Sequence, residues 1–294
     1  MDPSTTTNVY FSPYRISTIT CNANICKTKD IDINMALLFN KIEIGNDDHN
    51  IIWIQYLTEN TESFRGVYPK KKRNSKKKDR KCRFDNQITI IYKFNSLYLP
   101  NVKIFKNGNI HLTGIKNHDD VPIIVKYIIE QIQKIYEIDN SILKNVEQFE
   151  SLEYSNFLIR MINTDFKVYI DKELTERYLI RRKVLHTLLI SDKYNNKCSF
   201  QPGIYHGVKL EYFWNPTNEL KNGICCCTNH CFGKSDNKKK NSCKKITIAI
   251  FESGSILITG GILLEQIDDA YKYICNILVE NENIIRKSNN ISNI

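Results

Sequence analysis

Apolar and polar positions alternate in short runs along much of the chain, and one alternating run comes twice. Residues 102–114 read VKIFKNGNIHLTG and residues 248–260 read IAIFESGSILITG. Phe105 then matches Phe251, Gly108 matches Gly254, Thr113 matches Thr259 and Gly114 matches Gly260; each pair lies 146 positions apart, as 105 and 251 do. Each copy is a β-branched run, a turn carrying glycine, and a second run closed by Thr-Gly, which predicts a β-hairpin. A helical pattern follows each copy. The first opens on Asp119-Asp120-Val121-Pro122 and places Ile124, Tyr127, Ile128, Ile132 and Ile135 on one face. The second places Ile267, Tyr271, Ile274 and Leu278 likewise. Both spacings are those of a helix with one buried side.

The same offset aligns Ile16–Thr18 with Ile162–Thr164, and Leu38, Phe39 and Ile42 with Val184, Leu185 and Leu188. Each half therefore reads strand, helix, several strands, hairpin, long helix. That order predicts an α+β fold of two pseudo-symmetric repeats, not two unrelated domains. The expected boundaries are a loose tail over 1–13, a first repeat over 14–138, a linker over 139–157, a second repeat over 158–285 and a tail over 286–294. Strands are expected over Tyr14–Cys21, Ile51–Leu57 and Leu158–Ile170, with an extra inserted strand over Phe84–Phe94. Helices are expected over Met35–Ile42, capped by Asp32 or Asn34, and over Leu179–Leu189. Asp139–Ser155 reads as a helical linker. Phe64-Arg65-Gly66-Val67 parallels Tyr205-His206-Gly207-Val208 at an offset of 141, so the halves differ by a short insertion or deletion.

Charge narrows the partners. The 294 residues carry a net charge of +10, with a pI near 9.0, which favours a polyanion. Part of it sits in Lys70–Lys81, KKKRNSKKKDRK, which reads as a solvated loop able to contact phosphates without reading sequence. No signal peptide and no apolar run long enough for a bilayer are visible, so the ten cysteines point to a reducing compartment. His49, His118 and His186 read as loop or helix-face residues, and no histidine has the neighbours of a nucleophilic pair.

Six potential ligands crowd residues 225–243. Cys225, Cys227, Cys231 and Cys243, with Cys226 and His230 as spares, could hold a structural zinc. The spacing is not a standard knuckle pair, and a loop of free thiols stays open beside the metal reading. Four protein ligands would leave no position for reactive water.

The duplicated IF-x-SG-x-(I/V)-x-x-TG pattern before a long helix, with Phe200–Val208 (FQPGIYHGV), resembles the TATA-binding protein (TBP) family. It is most similar to the divergent TBP-like factors of large nucleocytoplasmic DNA viruses. The resemblance spans roughly residues 14–285. It implies a saddle-shaped fold, each repeat a curved antiparallel sheet backed by two helices. It also implies a transcription initiation factor that binds and bends promoter DNA through the minor groove. Aromatic pairs there wedge between base steps. Matched residue by residue, Phe105 and Phe251 are one member of each pair and Tyr205 is another. Phe64 is taken as the fourth, with Phe84 its rival. Thr113 and Thr259 match groove-facing threonines, and Ile16 and Ile162 apolar groove residues. His111 and Leu257 stand where the family has small apolar groups. The central asparagine pair of the family aligns with Tyr14 and Arg160, a departure that bears on TATA preference.

The partners so implied are A/T-rich double-stranded promoter DNA, a factor resembling general transcription factor IIB, and RNA polymerase, with the chain acting as a monomer on DNA. The implied location is a viral factory, host nucleus or virion. No cofactor is required beyond the possible zinc, and no membrane is involved. The same fold occurs inside DNA glycosylases and ribonucleases, but those carry an added catalytic domain. No P-loop, carboxylate cluster or lysine–aspartate site is seen here, so the expectation is a protein without enzymatic activity. A degenerate scaffold that binds transcription machinery without specific DNA recognition is the other alternative.

Overall fold

A computed structural model describes residues 8–27, 31–45, 50–58, 61–69, 87–229, 231–234 and 242–287. Lys70–Lys81, Phe84, His49 and His230 lie outside them. The chain divides into two compact units, Thr18–Arg160, and Met161 onward together with the chain up to Ser17. No described helix is long and apolar enough to cross a membrane.

The Thr18–Arg160 unit contains β2 (Arg15–Cys26, from Thr18), β3 (Ile51–Leu57), β4 (Glu62–Gly66), β5 (Gln87–Tyr92), β6 (Asn101–Phe105) and β7 (Asn109–Ile115), after a short β1 (Tyr10–Phe11) that belongs to the other unit. They pair antiparallel in the order β4-β3-β5-β6-β7-β2. Alternation along these strands puts Ile54, Ile90, Val102, Leu112 and Cys21 in one cross-strand row, and all five are fully buried. Helices α1 (Met35–Lys41) and α2 (Asp120–Ile138) cover that side. The predicted stripe of α2 is the one buried: Ile124, Ile128 and Ile132 are inaccessible to solvent. The expected N-cap is Asn34, whose side chain accepts from the Leu37 N–H at 3.1 Å.

The second unit repeats the pattern. Its strands β8 (Leu152–Tyr169, from Met161), β9 (Lys197–Gln201), β10 (Tyr205–Trp214), β11 (Lys244–Ile250) and β12 (Ser255–Gly261) run β9-β10-β11-β12-β8. Leu210, Ile248, Ile258 and Thr164 form the matching buried row, with Cys198 at its edge. Helices α4 (Arg182–Ile190) and α5 (Leu264–Glu280) cover it, a short α3 (Val146–Glu150) having intervened. Phe166 meets Tyr271 of α5 at 4.7 Å between ring centroids, and the Trp214 indole N–H donates to Asp269 at 2.8 Å. The α+β fold with two repeats is thus the one the sequence predicts.

Four boundaries differ. The expected N-terminal tail contains β1, whose Tyr10 and Phe11 pair with Tyr169 and Val168 of β8. The linker is helical only over Asn140–Ile142 and α3, because Leu152 already begins β8. The expected C-terminal tail is tied down at its start, where Lys287 N–H donates to the Leu179 carbonyl at 2.8 Å. The strand expected as an insertion, β5, occupies the topological place of β10, so the extra strand is β4.

Candidate nucleic-acid interface

Each unit has helices on one side of its strands, and the other side carries most of the candidate residues. In the second unit the open row runs Ser199, Lys209, Ala249, Leu257, Asp165, all directly opposed across neighbouring strands. Beside it lie Thr259, opposite Asn163, and Tyr205 and Phe251. Together with Lys197, Cys198, Glu211 and Thr247, most of these line a concavity of about 400 Å³. The hairpin turn sets Phe251 at the end of β11: its N–H donates to Ser255 O at 3.0 Å and its carbonyl accepts from Gly254 at 3.1 Å.

Tyr205 and Phe251 are brought together, with ring centroids 5.7 Å apart and planes at 59°. Lys209 Nζ stands 4.1 Å from the Tyr205 ring centroid, a cation–π contact. Gly207 is part of the same arrangement. A Cβ there would come within 2.8 Å of Tyr205 Cε1 and 3.2 Å of the Phe251 ring, so a side chain at 207 would have to displace the rings from this arrangement.

The acidic groups on this side are neutralised. Asp165 takes the Arg15 guanidinium at 2.8 Å. Glu211 takes Lys197 at 2.9 Å and Lys245 at 3.1 Å. Burial works against the Glu211 charge, yet the two lysines hold its carboxyl below the ordinary carboxylate range.

In the first unit the open row is longer: Phe64, Gln55, Thr89, Lys103, His111, Asn22. Lys103 and His111 stand where Ala249 and Leu257 stand in the other unit. Phe105 ends β6 as Phe251 ends β11, and Thr113 lies two residues beyond His111. Asn22, in the amide orientation that satisfies its neighbours, donates to His111 Nδ1 at 2.8 Å and accepts from Arg160 Nε at 3.1 Å. Burial first, then Lys103 and Arg160, keep the His111 pKa below its usual 6.5. A half-buried neutral histidine that must take a proton weakens the fold: its contribution is whole above pH 6.5 and is lost as the pH falls below that towards the depressed folded value. Replacing His111 with leucine, the residue of the other unit, should therefore flatten the decline of the unfolding midpoint between about pH 6.5 and 5. An unchanged acid profile would show that His111 carries none of it.

Three expected placements need correction. Phe64 lies on the open side, 65% exposed, but on the edge strand β4. Strands β3 and β5 separate it from Phe105, so it is not the counterpart of Tyr205. The register identifies the counterpart segment: Gln87 opposes Phe105, and Ile88 opposes Ile104 as Val208 opposes Ile250. The aromatic nearest the start of that strand is the rival, Phe84, three residues before β5. Ile162 is 2% exposed and lies in the same alternation as Phe166, on the helix-covered side. Its counterpart is Ile19, not Ile16: Ile162 opposes Gly261 and Ile19 opposes Ile115. The step in the first strand is thus 143, as between Ile19 and Ile162. Ile16 is half-buried on β2, in the same alternation as Thr18 and Thr20.

Tyr14 belongs to the helix side of the second unit, where its hydroxyl donates to Asp268 at 2.6 Å and its ring meets Tyr271. It does not stand in for an asparagine. With the step of 143, the side chains beside the hairpin threonines are Thr20 and Asn163. Asn163 is the residue missed. Its Oδ1 is buried with no hydrogen-bond partner among the described residues. Aligning Ile19-Thr20-Cys21 with Ile162-Asn163-Thr164, in place of Ile16–Thr18, would have found it.

No protein-family model matches the chain. A TATA-box-binding protein-like protein of Acanthamoeba polyphaga mimivirus is 29% identical over 270 residues, covering 90% of this chain. The chain is thus similar to a TBP-like protein of a large DNA virus. It spans 64% of the length of that mimivirus protein. Among solved structures, Methanococcus jannaschii TBP is similar at a TM-score of 0.45 and 14% identity, over 93% of this chain and 100% of that one.

Proposed function

We propose that the chain is a TBP-like initiation factor that binds A/T-rich duplex DNA with its open strand surfaces and bends it through the minor groove. The observation that carries this is the Tyr205–Phe251 pair, packed against Gly207 beside the open row of Ser199, Lys209, Ala249, Leu257 and Asp165. A minor groove offers only acceptors at A·T pairs, so it is read by width, donors and wedges. Aromatic rings that enter a base step cost a few kcal/mol of unstacking per step, repaid by wider contact on the bent duplex. Asn163, Thr259 and Thr113 supply donors. Lys209 and Lys103 reach phosphates, and Glu211 and Asp165 repel none while paired. The reading is non-catalytic, with a IIB-like factor and RNA polymerase as protein partners.

The test is selection of bound duplexes from a random pool, followed by bend measurement on the winners. A/T-rich winners bent on binding support the reading. Equal retention of all sequences with straight DNA supports a scaffold without DNA recognition. Gly207→Ala gives a second readout. It pushes the two rings apart without touching the buried rows, so the bend should fall while the unfolding midpoint moves by less than ~1 kcal/mol equivalent. An undiminished bend would remove the paired rings from the mechanism.

A further inference from the structure

The connection between β10 and β11, residues 215–243, is unlike the rest of the second unit. Leu220 and Phe232 are 79% and 77% exposed, so the segment has little apolar surface with which to fold. It is nevertheless anchored at its described positions. Phe213 N–H donates to Gly223 O at 2.9 Å, and Lys245 N–H to Gly233 O at 2.8 Å. Tyr212 OH donates to Lys221 O at 3.2 Å. Such a loop needs a staple.

We propose that Cys225, Cys227, Cys231 and Cys243 bind one zinc ion as a closed, structural tetrathiolate site. Their four Sγ atoms all lie within 4.8 Å of one another. Cys225 and Cys231 are 3.5 Å apart, Cys227 and Cys243 3.5 Å, and Cys225 and Cys243 3.8 Å. Four sulfurs at about 2.3 Å from a tetrahedral centre stand about 3.8 Å from each other, close to the three separations just given. Two separate disulfides would give no reason for Cys243 to face both Cys225 and Cys227.

The surroundings suit thiolates. Backbone N–H groups of Gly233 and Cys243 donate to Cys231 sulfur, and that of Cys226 to Cys243 sulfur. Asn215, 3% exposed, directs its amide nitrogen at Cys243 Sγ at 3.8 Å. Outer donors of this kind orient and stabilise metal-bound ligands. Lys234 and Lys244, bridged to each other across the loop, flank a site whose net charge would be about −2. An all-sulfur tetrahedron excludes magnesium and calcium, which take oxygen ligands. Cys243 is buried and immediately precedes β11, so the ion closes the loop onto the strand that ends at Phe251. With four protein ligands it holds structure and activates no water.

The full chain, expressed without added metal and purified in reducing buffer free of chelator, should contain about one zinc per chain. The Cys227→Ser, Cys231→Ser double variant should lose it. Cys226→Ser, exposed and outside the tetrad, should keep it. Cobalt-exchanged protein should show the intense visible bands of a tetrahedral thiolate complex. Folded, reduced wild-type protein with no zinc, whose four thiols alkylate as fast as Cys226, would overturn the site. So would the weak spectrum of six-coordinate cobalt. Stoichiometric iron in place of zinc would overturn the assignment to zinc. Metal content and cobalt spectra are read on the wild-type chain, so a variant that fails to fold leaves the test intact.

Discussion

Replacing Phe105 and Phe251 together by alanine should abolish DNA bending and leave a weak, salt-sensitive association. Both rings sit at a strand end before a glycine turn, on the side the helices leave open. Each is half-buried and outside the rows of isoleucine and leucine that form the cores. Removing them costs little packing but takes away the apolar wedges. Contacts of an aromatic ring with a base are worth about 1–3 kcal/mol each, so the double variant should lose on the order of 100-fold or more in affinity. What remains is attraction between phosphates and lysines, which falls steeply with salt. Fluorescence energy transfer between the ends of a labelled duplex reads the bend, and the unfolding midpoint controls for folding. A double variant that bends DNA like the parent would show that these rings do not wedge.

The second large effect is on stability. Gly254 and Gly108 end matching turns with φ of +74° and +75°, a region that costs other residues about 1–2 kcal/mol. Their surroundings differ. A Cβ at Gly254 would lie 2.5 Å from the Tyr178 carbonyl oxygen and 3.0 Å from that of Val168. Both are backbone atoms of a hydrogen-bonded segment: the Val168 carbonyl accepts from the Tyr178 N–H at 3.0 Å, and the Gly254 carbonyl accepts from the Val168 N–H at 2.9 Å. At Gly108 the nearest atom is Ile31 Cγ2 at 2.5 Å, a side-chain methyl and not backbone. Gly254→Ala should therefore cost about 3–4 kcal/mol and Gly108→Ala about 1–2 kcal/mol, read from urea midpoints at unchanged slope. Equal losses would mean that only the backbone angle matters.

What the chain reveals by itself follows from repetition. The hairpins, the long helices and the phenylalanines at 105 and 251 are legible because each feature occurs at a constant step in both halves, and chance rarely repeats a hairpin with its helix. Register in the first strand was not legible. A shift of three residues keeps Ile16 and Ile162 looking alike, yet a strand exchanges its faces every residue. Only the pairing of Ile19 with Ile115 and Ile162 with Gly261 fixes the step at 143. Tyr14 misled for the same reason. Phe64 misled because a four-residue likeness outweighed strand order, which no local pattern encodes. The Thr20–Asn163 positions then follow, and a donor survives at the place where the sequence alignment had put Tyr14 and Arg160. The cysteine cluster was visible in composition, while its convergence to one point required the fold.

The most direct test of the central claim asks which groove is read. In the selected site, every A·T pair is replaced by I·C, which keeps the minor-groove pattern of A·T and gives the major groove the pattern of G·C. Minor-groove recognition predicts that affinity and bend are retained to within about threefold, because the acceptors and the groove floor are unchanged. A loss of tenfold or more on I·C substitution, with binding restored by A·T, would contradict the account and place the contacts in the major groove.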